Sequence, residues 1–186
     1  FYIRQNEPSA ESPKWVKGKF GKALLFNGDK KQEYFNTEQA RRKFFDLKDQ
    51  VTIEIWLMPE EPPVPQSMGI FQNMEYKTSG FRVNLSNKGK VMWMIEDGTK
   101  EVTLFSQQSI LYGEWSHIAC TYDGSLMKIF INGVEDSKKE LKGVIIQSPE
   151  NIWCNIGNTS GYQYFYGAID AIRISNIARD KFNIKK

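Results

Sequence analysis

The amino-acid sequence predicts an all-β fold in which two antiparallel sheets pack as a sandwich. Short segments alternate apolar and polar residues along most of the chain, which is the pattern of strands with one buried face. Glycine-containing turns separate these segments at short intervals, for example Asn87-Lys88-Gly89 and Ile131-Asn132-Gly133. A chain of 186 residues is long enough for one domain with its own hydrophobic core.

The alternating segments define the predicted strands. They lie at residues 23–26, 51–58, 67–73, 81–86, 91–95, 102–105, 115–122, 127–131, 152–156 and 165–174. Helix is predicted to be at most a few short turns, at residues 37–45, which begin with an N-cap-like Thr37, and at residues 175–182. Residues 1–17 are predicted to form a linker or an edge segment, and residues 18–186 a single domain.

Charge and hydropathy argue against two kinds of partner. The net charge is +3 and no basic stripe is apparent in the sequence, so nucleic acid is not an expected ligand. The short basic clusters at Lys30-Lys31 and residues 41–43 are interpreted as solvated loops. No apolar run approaches the roughly 20 residues that a membrane helix needs, so membrane insertion is not expected.

Two carboxylates, Glu54 and Glu60, flank Trp56 in the segment VTIEIWLMPE and raise the question of glycoside hydrolysis. A hydrolytic pair needs two carboxylates about 5 Å apart, or somewhat more, on either side of one sugar. Sandwich-fold glucanases place acidic residues on one face of one strand, in a pattern like E-x-D-x-E. Here Trp56 and Met58 stand where further acids would be, and Glu60 lies beyond Pro59, which ends the strand. The segment therefore predicts a scaffold strand, with Trp56 packed and Glu54 paired on the sheet face.

Six motifs follow one another along the chain. They are GKFGKALLFNG from Gly18, VTIEIWLMP from Val51, GEWSHIACTYDG from Gly113, KIFING from Lys128, NIGN from Asn155 and YGAIDAIRISN from Tyr166. In this order they resemble the concanavalin A-like, laminin G-like jelly-roll domains, especially the bacterial secreted type, over residues 18–179. The resemblance implies a jelly-roll sandwich at an extracellular or cell-surface location, beside other domains of a parent chain. The fold hosts lectins, adhesion modules, glucanases and lyases, so it does not define the function.

Asp170 is the carboxylate that most needs a partner, because its strand parity matches Ile172 and Ile174 on the expected core side. A buried carboxylate is costly unless it is paired, hydrogen-bonded or bound to a metal. Backbone N–H groups of a neighbouring loop are one candidate partner. The resemblance implies the other, a structural calcium ion held by Asn27, Asp29 and Asp170. Asn27 stands where the family usually has aspartate, which would weaken such a site.

The cysteines and the single histidine are interpreted as structural. Cys120 and Cys154 both have the parity of buried strand residues. A disulfide between neighbouring strands and two buried free thiols both fit this pattern, and the free thiols are favoured. His117 lies on a strand with no catalytic triad around it, so a packing role is favoured for it as well.

A sugar-binding surface combines an aromatic platform with amide or carboxylate hydrogen-bonding groups. The segment NTSGYQY supplies both in Asn158, Tyr162 and Tyr164, and Tyr76 is a further candidate. Coverage of the sandwich edge by these tyrosines is the alternative interpretation. The predicted function is a non-catalytic recognition module with a polysaccharide or other glycan as ligand. An adhesion or spacer domain that binds protein is the second hypothesis, and a glycoside hydrolase or lyase is the third.

Overall fold

The structure, a computed structural model, describes residues 14–28, 47, 49–75, 79–96, 98–143, 154–159 and 162–184. These residues form strands and no helix. The strands are β1 Lys14–Lys17, β2 Lys22–Asn27, β3 Val51–Pro59, β4 Met68–Glu75, β5 Ser79–Leu85, β6 Lys90–Glu96, β7 Glu101–Ser109, β8 Ser116–Tyr122, β9 Leu126–Ile131, β10 Val134–Glu140, β11 Asn155–Ile156, β12 Asn158–Thr159, β13 Gln163–Tyr164 and β14 Tyr166–Ser175. The predicted all-β sandwich is confirmed, and the helix predicted at residues 37–45 lies outside the described residues.

Two antiparallel sheets face each other across the core, and a small hairpin adds a third pairing. The larger sheet has seven strands in the order β1-β2-β14-β3-β8-β9-β10, and the smaller has five in the order β11-β4-β5-β6-β7. β12 and β13 form the separate hairpin. Because β14 lies between β2 and β3, segments from the two ends of the chain meet inside one sheet. No helix within the described ranges combines the length and apolarity needed to cross a membrane.

Alternate apolar side chains of both sheets fill the core. Ile53 and Ile55 of β3 are buried on one side, and Trp93 of β6 is completely buried on the other. Cys120 and Cys154 are both buried and unpaired, so the prediction of free thiols is confirmed. Burial in this apolar interior raises the pKa of both thiols, which makes them unreactive.

A β-bulge in β14 overturns the predicted orientation of Asp170. The register between β14 and β3 shifts between Asp170 and Arg173, and Ala171 within the bulge has a left-handed φ of 46°. Because one extra residue reverses the alternation of side chains, Asp170 lies opposite Trp56 on the outer face of the seven-stranded sheet. Ile174, beyond the bulge, keeps the core side. The prediction that Asp170 shares the core side with Ile174 is therefore wrong.

Residues 176–184, the C-terminal segment, cross the outer face of the seven-stranded sheet without forming the helix predicted at residues 175–182. The backbone N–H of Arg179 donates to Oγ1 of Thr52 on β3 at 2.9 Å. The ring of Phe182 contacts His117 on β8 and Phe130 on β9, at centroid distances of 5.6 and 4.9 Å. These anchors lie on three strands in a row. A short helix rises only about 1.5 Å per residue and is too compact to follow them.

Candidate functional site

Glu54 takes part in an ion-pair cluster on the outer face of the seven-stranded sheet, beneath the C-terminal segment. Arg173, directly opposite on β14, donates from Nε and Nη2 to the two carboxylate oxygens at 2.5 and 2.6 Å. Nε2 of His117 lies 3.6 Å from Oε1 of Glu54. Burial acts to raise the pKa of Glu54, but the hydrogen bonds and charges of His117 and Arg173 outweigh it and leave the pKa lowered. The predicted sheet-face pairing of Glu54 is confirmed.

The carboxylates on this outer face are not arranged for sugar hydrolysis. Glu54 is 5% exposed and its carboxylate accepts hydrogen bonds from Arg173, and Asp170 is 8% exposed. Trp56 packs between Phe20 and His117, with ring centroids 5.6 and 5.4 Å away. A sugar ring therefore has no access between two free carboxylates here. Glu60, the other acid of the segment VTIEIWLMPE, is exposed in the loop after β3, as the sequence predicted.

Asp170 is held by the turn between β1 and β2. The backbone N–H of Phe20 in this turn donates to Oδ2 of Asp170 at 2.8 Å. Gly18 approaches the same oxygen so closely that a Cβ at this position would lie 2.5 Å from it. The sequence suggests two kinds of partner for Asp170, a backbone N–H group and a calcium ion. The structure shows the hydrogen bond from a backbone N–H group.

The predicted calcium ligands lie on two neighbouring strands and in the segment that follows them. Asn27 of β2 pairs with Tyr166, four positions before Asp170 on β14. Asp29 lies outside the described residues. Calcium binding by Asn27, Asp29 and Asp170 therefore stays a prediction.

No other metal site is apparent in the described part of the chain. It contains no group of three or more His, Cys, Asp or Glu side chains placed to hold a metal ion. The Glu54 carboxylate is engaged by Arg173, and both thiols are buried in the apolar core.

The structure does bring together the sugar-binding residues predicted in the segment NTSGYQY. Asn158 on β12 is the direct cross-strand partner of Tyr164 on β13. Tyr162 lies in the turn before β13 and is 69% exposed, whereas Tyr164 is half-buried. The last predicted member, Tyr76, lies outside the described residues. The hairpin thus groups aromatic rings with amides, and Asn158 itself is buried.

The β12–β13 hairpin rests on the outer face of the five-stranded sheet. A Cβ at Gly69 of β4 would lie 2.3 Å from the backbone nitrogen of Thr159, so only glycine permits this approach. Oε1 of Gln163 accepts a hydrogen bond from Nδ2 of Asn84 at 2.8 Å and one from the Thr159 hydroxyl at 3.0 Å. Oδ1 of Asn84 and Oδ1 of Asn158 are buried with no hydrogen-bond partner, which is unusual for buried acceptors.

Two rows of side chains extend this surface across the five-stranded sheet, and the sequence analysis missed them. The first row is Gly69, Asn84, Met92 and Phe105, and the second is Gln72, Arg82, Met94 and Thr103. Each row crosses four strands, or about 14 Å at about 4.8 Å per strand. Phe105 at the far end is 49% exposed, and Arg82 donates to Glu101 at 2.7 Å. Asn84 and Met94 are buried, whereas the other side chains of the rows are exposed or half-buried. We call the hairpin together with Gln72, Arg82, Met92, Thr103 and Phe105 the sheet–hairpin surface.

A sequence signal for these rows existed in the segment FRVNL of β5. Phe81, Val83 and Leu85 face the core, so strict alternation already assigns Arg82 and Asn84 to the outer face. What alternation does not supply is the neighbour of each residue on the adjoining strands. That information depends on register, which only the folded sheet defines.

The match to a protein family agrees with this architecture. The model of the Laminin_G_3 family, described as the concanavalin A-like lectin/glucanases superfamily, matches residues 29–185. The chain belongs to this family. Mouse pappalysin-1 is 26% identical to this laminin G-like chain over 183 residues, which cover 88% of the chain and 11% of pappalysin-1. The chain thus spans about a tenth of the length of that relative.

Solved structures share the fold of this laminin G-like chain at low sequence identity. The binding domain of Paraclostridial Mosquitocidal Protein 1 has a TM-score of 0.68 at 17% identity, over 90% of this chain and 43% of the other. Domain 4 of AbnA, a GH43 extracellular arabinanase from Geobacillus stearothermophilus, was solved in complex with arabinotriose. It has a TM-score of 0.63 at 21% identity, over 88% of this chain and 74% of the other. At these identities the similarity establishes the jelly-roll fold.

Proposed function

We propose that this laminin G-like domain is a non-catalytic glycan-recognition module and that the sheet–hairpin surface is its binding face. The observation that carries the proposal is the presence of two exposed aromatic rings on one sheet face: Phe105 ends one row of side chains, and Tyr162 belongs to the hairpin that packs on Gly69 at the other end of that row. Aromatic rings stack on the apolar C–H faces of sugars, and amides between them bind hydroxyl groups. AbnA domain 4, which has this fold, binds arabinotriose and makes a glycan ligand a reasonable first choice.

The residues between the two rings suit hydroxyl-rich ligands. Gln72 and Arg82 are partly exposed and carry donor and acceptor groups. Oδ1 of Asn84 and Oδ1 of Asn158 are buried where the hairpin meets the sheet, so the accessible amide and guanidinium groups of the two rows are those of Gln72 and Arg82. The close contact at Gly69 and the bonds to Gln163 hold the hairpin in one position, which limits the entropy lost on binding.

The test compares Tyr162→Ala and Phe105→Ala with the wild type against a panel of neutral and acidic oligosaccharides that includes arabinotriose. Affinity electrophoresis identifies binders, and calorimetry then measures Kd. Each substitution is expected to weaken binding about tenfold or more, equivalent to about 1.4 kcal/mol. Tyr112→Ala is the matched control, because Tyr112 is also exposed but lies in the loop that follows β7. Absence of binding across the panel, or equal binding by all variants, would refute the proposal.

An adhesion domain that binds protein is the second candidate function. The observation that favours it is a set of exposed apolar side chains beside the proline-rich loop after β3. The Gly113 N–H donates to the Pro59 carbonyl at 2.8 Å, which brings the loop carrying Tyr112 and Leu111 next to the loop carrying Val64. The Leu111→Ser and Val64→Ser variants would lose the protein partner in this case and would retain glycan binding.

The remaining parts of the proposal concern the parent protein and its location. The relative in mouse is about nine times longer than the matched region, so we place this domain beside others in a longer parent protein. We also propose an extracellular or cell-surface location, because AbnA is an extracellular arabinanase and polysaccharides are mostly found outside cells. Protease shaving of intact source cells, followed by immunodetection of the domain, tests the location.

A further inference from the structure

The C-terminal segment, residues 176–184, covers the outer face of the seven-stranded sheet without joining the sheet. It forms no strand, and none of its residues is buried. Side-chain hydrogen bonds hold its first half: Oγ1 of Thr52 donates to the Ile177 carbonyl at 2.6 Å, and Oε1 of Gln50 accepts from the Ala178 N–H at 3.0 Å. A segment with few buried contacts opens locally at a lower free energy than the whole domain unfolds. This cover is therefore expected to be detachable.

The face beneath the segment is much better buried than the segment itself. Glu54 of β3, His117 of β8 and Phe130 of β9 lie on it, and all three are buried. Ala119, which is the cross-strand partner of both Glu54 and Phe130, is completely buried. The outer face of an antiparallel sheet commonly meets solvent, so burial on this face depends on what lies over it. The sandwich thus carries a preformed surface under a separable cover.

Phe182 and Ile184 show how this face receives a peptide. The ring of Phe182 contacts His117 and Phe130, at centroid distances of 5.6 and 4.9 Å. A Cβ at Gly133 would lie 3.0 Å from Cγ1 of Ile184, so the glycine leaves room for that side chain. The face accommodates an aromatic and an aliphatic side chain that are two positions apart in sequence.

The C-terminal segment leaves one polar group of this face unsatisfied. Nδ1 of His117 is buried and has no hydrogen-bond partner within the described part of the chain. Nε2 faces the Glu54 carboxylate at 3.6 Å, so the proton of a neutral ring is assigned to Nε2 and Nδ1 is left as an acceptor. A buried acceptor without a donor costs free energy that a better-matched occupant recovers. Phenylalanine supplies no donor at this position, whereas tyrosine and tryptophan carry one on the ring.

We propose that this outer face, from β3 to β9, is a docking site for a peptide segment of another protein. The partner peptide carries a tyrosine or tryptophan in the place of Phe182 and an aliphatic residue two positions later. The C-terminal segment occupies the face in the free domain and lifts when the partner binds. The face belongs to the opposite sheet from the sheet–hairpin surface and contains neither Leu111 nor Val64, so it is separate from both candidate functions.

The test measures binding of a fluorescently labelled peptide of residues 176–184 to the full chain by fluorescence polarisation. In the wild type the C-terminal segment competes with this probe, which lowers the apparent affinity by the fraction of open domains. Phe182→Ala or Ile184→Ser in the domain weakens the cover and is expected to tighten probe binding about tenfold or more. Ile177→Ser is the matched control, because the Ile177 side chain is exposed in the same segment. It is expected to retain wild-type affinity.

Changes in the probe give a readout of opposite sign. Phe182→Ala in the probe is expected to weaken its binding to the Ile184→Ser domain about tenfold, although the same change in the domain tightens binding. Phe182→Tyr or Phe182→Trp in the probe is expected to bind about threefold more tightly or better, through the donor to Nδ1 of His117. If neither probe exceeded the phenylalanine probe, the assigned partner chemistry would be wrong.

A photo-cross-linking probe with benzoylphenylalanine in the place of Phe182 locates the site. Its cross-links are expected on β8 and β9. Cross-links elsewhere, equal probe affinity of the wild type and both cover variants, absence of probe binding, or displacement of the probe by oligosaccharides would each overturn the proposal. Tyr162→Ala and Leu111→Ser are expected to leave probe binding intact, so this proposal and the two candidate functions can fail separately.

Discussion

Arg173 and Glu54 form a two-pronged ion pair between the adjoining strands β14 and β3, with N–O distances of 2.5 and 2.6 Å. The side chain of Glu54 is 7% exposed, whereas that of Arg173 is 54% exposed. The bulge at Ala171 makes this pair possible, because without the extra residue Arg173 would point toward the core. The same bulge turns Asp170 outward beneath the β1–β2 turn. One local irregularity therefore arranges both charged groups on the outer face.

Glu54→Gln is expected to lower the free energy of unfolding by about 1–3 kcal/mol. The amide cannot accept both charge-assisted hydrogen bonds of Arg173, and the exposure of Arg173 keeps the loss below that of a fully buried pair. Urea denaturation followed by tryptophan fluorescence measures the change. Glu114→Gln, an exposed change of the same type, is the control and is expected to be neutral. A Glu54→Gln domain as stable as the control would show that the pair contributes nothing.

The Glu54 cluster is also expected to make the domain sensitive to acid. The folded-state pKa of Glu54 lies below its ordinary value of 4.5, so its contribution is complete above that pH and is lost as the pH falls through the lowered pKa. Unfolding curves recorded at a series of pH values from neutral to acid measure this loss. Because Glu54→Gln removes the titrating group, its stability is expected to fall less steeply below pH 4.5 than that of the wild type. Parallel curves for the two proteins would contradict the assignment.

Asp170→Ala is expected to destabilise the domain by about 1–3 kcal/mol even when all calcium is chelated, since the Phe20 N–H loses its acceptor. Thermal unfolding in EGTA measures this effect. A parallel series in calcium addresses the predicted metal site: binding through Asp170 would raise the wild-type Tm and leave that of Asp170→Ala unchanged. Full stability of Asp170→Ala in EGTA would show that the bond to the turn has no structural importance.

Lys17→Glu is expected to raise the free energy of unfolding by about 0.2–1 kcal/mol, because it converts a repulsive cross-strand pair with Lys22 into an attractive one. The gain is expected to shrink at high salt, where exposed charges are screened. Lys88→Glu provides the same charge change away from β1 and β2. If Lys17→Glu proved less stable than the wild type at low salt, the opposition of Lys17 and Lys22 would not hold in solution.

Several features of the fold follow from local patterns in the chain. Alternation in VTIEIWLMP correctly separates Ile53 and Ile55 on the core side from Glu54 and Trp56 on the outer side. Alternation fails for β10, whose polar sequence VEDSKKE contains no apolar face and was not predicted as a strand. That strand forms because β9 supplies the hydrogen-bonding partner across the Asn132-Gly133 turn. A strand that forms by pairing with a neighbouring strand, and that has no buried face of its own, cannot be predicted from alternating apolar residues.

The candidate sites also combine features that the local sequence predicts with features that depend on strand pairing. The segment NTSGYQY could be recognised from its tyrosines and amides, because composition alone identifies the chemistry of sugar binding. The contribution of Asn84 could not be recognised, because its contact with Gln163 spans 79 positions in sequence. Likewise, the direct opposition of Lys17 and Lys22 depends on the pairing of β1 with β2.

The sequence by itself determined the all-β class, the positions of most strands, the buried cysteines and the family of this domain. These properties depend on side-chain periodicity and turn residues, which act over a few neighbouring positions. Only the tertiary structure decided which face Asp170 occupies, which cation neutralises Glu54 and which side chains surround the β12–β13 hairpin. Each of these depends on strand register and on a single bulge, and a shift of one residue in register moves every side chain to the opposite face.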